Sequence, residues 1–157
     1  MVQTTKMAAT RDALGPTLAR LAREGLDIVV VDADLGVSTS AVKFGREFPD
    51  RFFTMGVAEA NMIGVAAGLA ACGKIAFASS FAVFAPGRCF DQLRMAVAQP
   101  GTNVKLVASH GGVVTGDLAV VWCHRKTRRQ WTGKEPPPRN INYDNTEFVS
   151  RSTMVFR

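Results

Sequence analysis

The chain has 157 residues, 47% of them hydrophobic and 20% charged, with a formal net charge of +6. These values describe one soluble globular domain with room for a real core. The uncharged stretches 60–73 and 75–87 are too short and too rich in Gly, Ala and Ser for a membrane span, and the first residues lack the apolar stretch of a secretory signal.

Predicted elements alternate along the first 112 residues. Thr10 is placed to cap a helix whose Leu14, Leu18 and Leu21 form one apolar stripe, with Gly25 to end it. Residues 27–32 (DIVVVD) read as a short β-branched strand of the buried parallel kind. Residues 38–48 suit a loop and short helix ended by Pro49, 51–55 a second strand, and 58–72 a helix with Gly73 beyond it. Within that helix, Gly64 and Gly68 weaken the intrinsic preference but permit close packing against a sheet or another helix. Residues 74–79 form a third strand, Pro86 opens a helix over 87–99, and 104–109 form a fourth strand. This succession predicts an α/β domain over about residues 6–112, with a mostly parallel sheet and helices on both faces. Ligands of such sheets sit beyond the carboxyl ends of the strands. Asp32 and Asp34, residues 56–59, 79–84 and 109–112 all fall there.

From about residue 113 the character changes. Residues 113–157 carry eight Lys/Arg against four Asp/Glu, while residues 1–112 carry eleven against nine, so most of the positive excess is in this segment. It holds a basic run at 124–130, three successive prolines at 136–138 and no sustained period, and is read as a poorly ordered extension. Nucleic acid is a poor fit as its partner, because the aromatics are not interleaved with the charges. Three cysteines (Cys72, Cys89 and Cys123), far apart and without a C-x-x-C pair, argue against a disulfide framework or zinc site and for a reducing, cytoplasmic compartment.

One residue stands out chemically. Glu59 is the only acidic side chain between Arg51 and Arg88, in a run of small and apolar residues. A carboxyl packed there must find a hydrogen bond or take up a proton, and enzymes use such groups as donors. The plainer reading is a first-turn carboxylate favoured by the helix dipole.

Four stretches give the chain a family likeness: ATRDALG at 9–15, VDADLGVST at 31–39, RFFTMGVAEANM at 51–62 and SSFAVF at 79–84. In order and spacing, residues 6–112 resemble the pyrimidine-binding domain of transketolase, and in particular the C-terminal subunit of transketolases split into two chains. Deoxyxylulose-phosphate synthase shares the same domain design and is the alternative within the superfamily. The resemblance implies thiamine diphosphate as cofactor and transfer of a two-carbon ketol unit between sugar phosphates. It places Glu59 at the carboxyl that hydrogen-bonds N1′ of the aminopyrimidine and promotes loss of the thiazolium C2 proton. Phe81 and Phe84 match aromatics that enclose the pyrimidine, whereas Gly87 and Arg88 stand where a further aromatic or large residue is common. Asp34 matches an acidic position that orders the site near a subunit interface. Arg11, Ser38 and His110 match positions that hold the sugar phosphate.

The likeness covers one domain of a three-domain design. No Gly-Asp-Gly motif for the diphosphate and its magnesium or calcium occurs, so a diphosphate-binding N-terminal subunit must supply it, in a homodimer or hetero-oligomer. The family's Gly-Glu-Asp-Gly stretch after His110 is replaced, which points to a truncated or frame-shifted product. The competing expectation is therefore a non-catalytic remnant of transketolase.

Overall fold

The computed structural model describes residues 9–110 and 154–156. Helix α1 (Leu14–Arg23) leads to strand β1 (Ile28–Asp32), helix α2 (Val42–Glu47) to β2 (Phe52–Thr54), and helix α3 (Glu59–Ala71) to β3 (Ile75–Phe81). Two short helices, α4 (Ala85–Arg88) and α5 (Phe90–Gln92), run into a π-helical stretch Leu93–Ala98 before β4 (Val104–Ser109). The sheet order is β2-β1-β3-β4, all parallel, and an edge strand β5 (Met154–Phe156) pairs antiparallel with β4. The α/β architecture with a mostly parallel sheet is therefore as the sequence pattern predicts. The antiparallel strand was not anticipated, since it falls in the segment read as a poorly ordered extension. The rest of that segment lies outside the described residues.

Alternation along β1 divides the core. Ile28 and Val30 face α1 and α2, where they pack with Leu18, Ala19, Ala22, Ala41 and Phe44. Val29 and Val31 face α3, with Met62, Ile63 and Ala66. Adjacent residues of a strand point to opposite faces, so an unbroken apolar run needs cover on both. The sheet runs outward from β1 to β2 on one side and to β3 on the other. Its topological switch point lies between β1 and β3, where ligand crevices form in open α/β sheets.

Three local expectations change. The first helical turn at Thr10–Ala13 is 3-10, and α1 begins at Leu14 without a side-chain cap. The helix expected over 87–99 is broken at Cys89, whose φ of −128° is not helical. Gly64 and Gly68 are exposed, and an added Cβ at either would meet no atom within 4 Å. They do not serve close packing within the domain, because α3 buries the opposite face through Met62, Ile63, Ala66 and Ala70. Gly15 does: a Cβ there would lie 2.3 Å from the Ser40 carbonyl oxygen. Gly25, at φ +97°, ends α1 as predicted, in the left-handed conformation that glycine adopts freely. Among the described residues no helix is long and apolar enough to cross a membrane.

Candidate active site

Glu59 opens α3, directly after the loop that leaves β2. The turn into it depends on Gly56 at φ +70° and is held by an N–H from Met55 to the Asp32 carbonyl at 2.8 Å. The side chain is only 2% exposed, and its Oε1 accepts a 2.8 Å hydrogen bond from Arg88 Nη1. The carboxyl thus meets the cost of burial through an ion pair, as well as by standing in the first turn of a 13-residue helix.

The aromatic wall comes from the end of β3 and the turn after it. Phe81 and Phe84 lie with ring centroids 6.1 Å apart and planes 20° from parallel. Arg88 covers Phe84, its Cζ 4.0 Å from the ring centroid. Arg88, not an aromatic, therefore stands at the outer side of this wall. Its reach to both Glu59 and Phe84 was not read from the sequence.

Phe81 also carries the site to its second half. Its ring centroid is 4.1 Å from that of His110, the residue following β4. His110 Nε2 lies 3.2 Å from Arg11 Nη1, across 99 positions of sequence, and its Nδ1 lies 2.7 Å from Ser109 Oγ. A guanidinium can only donate, so Nε2 accepts and the proton resides on Nδ1, directed at the serine oxygen. Burial, and then the Arg11 charge, hold the imidazole below its usual range, which favours this neutral tautomer.

The loop after β1 supplies the remaining candidates. Asp32 is buried at the strand end, and its Oδ2 accepts N–H bonds from Leu35 at 2.9 Å and Gly36 at 3.0 Å. Burial raises its proton affinity, since Oδ1 is buried without a hydrogen-bond partner. Asp32 thus folds the loop that presents Asp34, which is exposed at φ +62°. Ser38 is exposed farther along. It is Ser40, also at positive φ, that bonds Asp12 Oδ1 at 3.1 Å. Asp34, Ser40 and His110 all hold a left-handed conformation uncommon outside glycine, and such residues cluster at functional sites. Neither Asp32 as the loop's organiser nor Ser40 as the tied hydroxyl was singled out from the sequence. An Asp four residues before a Gly in VDADLG is the signal that could have found the first.

The geometry joins Glu59, Arg88, Phe84, Phe81, His110 and Arg11 in one line of contacts. A buried acid bridged by Arg88 to two nearly parallel aromatic rings suits a flat heteroaromatic with a ring nitrogen, and the Arg11–His110 end suits an anion. Residues 6–119 match the family described as "Transketolase, pyrimidine binding domain". The chain belongs to that family.

Relatives agree across the domain. A transketolase C-terminal section from Methanocaldococcus jannaschii is 53% identical over 107 residues, covering 68% of this chain and 34% of that protein. Human transketolase is 41% identical over 110 residues, covering 69% of this chain but 17% of the enzyme. A solved structure titled as a split-gene transketolase, an inactive beta4 tetramer, superposes with a TM-score of 0.60 at 52% identity, covering 67% of this chain and 35% of that one. The domain thus spans about a third or less of each relative.

Proposed function

We propose that this domain is the pyrimidine-binding half of a thiamine diphosphate site in a transketolase. The site would transfer a two-carbon ketol unit between sugar phosphates. The observation that carries this reading is the 2%-exposed Glu59 carboxyl joined through Arg88 to the Phe81–Phe84 pair. When bound, thiamine diphosphate supplies a carbanion equivalent at its thiazolium C2. Glu59 holds a proton against the pyrimidine nitrogen, and Phe81 and Phe84 hold the ring in place and keep water from it. Arg11 presents N–H donors to the substrate phosphate and His110 orients it by accepting at Nε2, with Ser38 and Asp34 on the neighbouring loop.

A partner chain completes the site in this reading. The partner holds the diphosphate and its divalent cation, while this domain holds the pyrimidine. Val37 and Val57, 79% and 69% exposed on the loops after β1 and β2, fit a face that a second domain covers. The relative solved as a tetramer supports assembly beyond a monomer.

Reconstitution tests the proposal. The full chain is mixed with a diphosphate-binding transketolase subunit, divalent metal, cofactor and a donor ketose phosphate, and ketol transfer is measured. Turnover is expected. No turnover, with a complete transketolase active alongside, would reduce the domain to a non-catalytic relative.

A further inference from the structure

We propose that Arg88 is a latch on the pyrimidine pocket, occupying the carboxyl and the aromatic face that the aminopyrimidine must take, and that it swings out as the ring binds. The inference rests on the reading of Glu59, Phe81 and Phe84 as the pyrimidine site.

The two contacts Arg88 makes are the two that the ring needs. Its Nη1 donates to Glu59 Oε1 at 2.8 Å, and its Cζ lies 4.0 Å from the Phe84 centroid. A guanidinium is flat, hydrogen-bonds in its plane and stacks on aromatic faces. An aminopyrimidine is also flat, hydrogen-bonds in its plane and stacks. At 4.0 Å the guanidinium is in contact with Phe84, leaving no room for a second flat group on that face. Arg88 is thus an internal stand-in for the cofactor ring.

The pair is asymmetric in a way that suits release. Glu59 is 2% exposed and fixed at the start of α3, while the Arg88 side chain is 48% exposed. Arg88 is the last residue of four-residue α4, next to the irregular Cys89, and an added Cβ at neighbouring Gly87 would meet nothing within 4 Å. The long side chain can therefore turn into water without dragging a core element. Among the described residues, its one ion pair is the one with Glu59.

A latch also answers a problem of assembly. A carboxylate buried without a counter-charge is costly, and a domain that waits for cofactor and partner must keep one. Arg88 supplies the counter-charge until the ring arrives. The opposite arrangement, with Arg88 staying on Oε1 while the ring bonds Oε2, would make Arg88 a support for ring binding. The two arrangements predict opposite signs.

The test uses the full chain and thiamine, which carries the pyrimidine ring but no diphosphate. Titrations are followed by NMR at the Phe81 and Phe84 rings and at the Arg88 Nε–H. Arg88→Gln removes the charge and the stacking group, and should bind thiamine about tenfold more tightly than wild type, or about 1.4 kcal/mol. Arg88→Lys keeps a cation for Glu59 but not the flat stack, and should fall between them. In wild type the Arg88 Nε–H, which reports on the guanidinium that Nη1 ties to Glu59, should move to the shift of a free arginine as thiamine saturates, a readout that holds even if a variant fails to fold. Equal or weaker binding by Arg88→Gln, or an Arg88 signal unmoved at saturation, would overturn the latch while leaving the pyrimidine site intact. If Phe81 and Phe84 respond to thiamine in neither wild type nor Arg88→Gln, the site reading fails and the latch with it.

Discussion

Glu59→Gln separates what this carboxyl does for the fold from what it does for chemistry. Breaking a buried ion pair commonly costs about 3–5 kcal/mol, because a charge is left stranded in the interior. Here the stranded partner is Arg88, whose side chain is 48% exposed and can turn to solvent. Glutamine keeps the size, and its amide oxygen can still accept from the guanidinium. The loss of stability should therefore stay near about 1 kcal/mol, the scale of a single hydrogen bond. For a domain of about 100 residues that is a fall of roughly 4–8 °C in Tm. The chemical loss should be much larger, since glutamine cannot exchange a proton with the ring nitrogen. Removing a positioned acid–base group costs at least about 10²-fold, or about 2.7 kcal/mol. The assay is hydrogen–deuterium exchange at thiazolium C2 in the complex with a diphosphate-binding subunit, beside thermal unfolding of the free chain. Glu59→Ala, which leaves the ring nitrogen unpaired, should lose at least as much exchange. Wild-type exchange in Glu59→Gln would refute the role assigned to this carboxyl, whatever happened to Tm.

Phe81→Ala should weaken thiamine binding about tenfold by removing ring contact. It should also release His110 from its 4.1 Å aromatic neighbour, seen as a changed imidazole shift. His110 is held below 6.5 by burial and by Arg11, so the folded state favours the neutral ring. Stability should therefore be full above 6.5 and decline as pH falls through that value toward the lowered one. His110→Gln should flatten that part of the profile, and an unchanged slope would show that another group sets it. Gly15→Ala should destabilise by about 1–3 kcal/mol in urea melts, since the new methyl must displace backbone rather than a mobile side chain.

The sheet was readable because its signals are local. Residues 28–31 are apolar on both faces and can only sit between two layers, and Gly25 and Gly73 mark helix ends through positive φ. Gly15 could be seen as part of a motif, but not as the point where α1 meets Ser40, since that depends on the separation of two elements. Glu59 was readable for a similar reason to the strands: a lone acid in a run of small residues is improbable on a solvated face, and the fold buries it. Phe81 and Phe84 followed only with the family pattern, because aromatics near a strand end are ordinary core residues in most folds.

Arg88 was beyond the sequence for a definite reason. Its partner Glu59 is 29 residues away and is met through a side chain with many rotatable bonds. Hydrophobic periodicity fixes where backbones lie, but not where such a chain ends. What decides its position is the shortage of other partners for a buried carboxylate, together with an aromatic face within reach. Both are tertiary facts. The same shortage operates in any state of the domain that lacks a ring against Glu59. The Glu59–Arg88 pair should therefore be worth most to the free chain and least to the assembled, cofactor-loaded one. Arg88→Gln should lower the Tm of the free chain while leaving that of the loaded complex nearly unchanged, and an equal loss in both would mean that the pair persists when the pocket is filled.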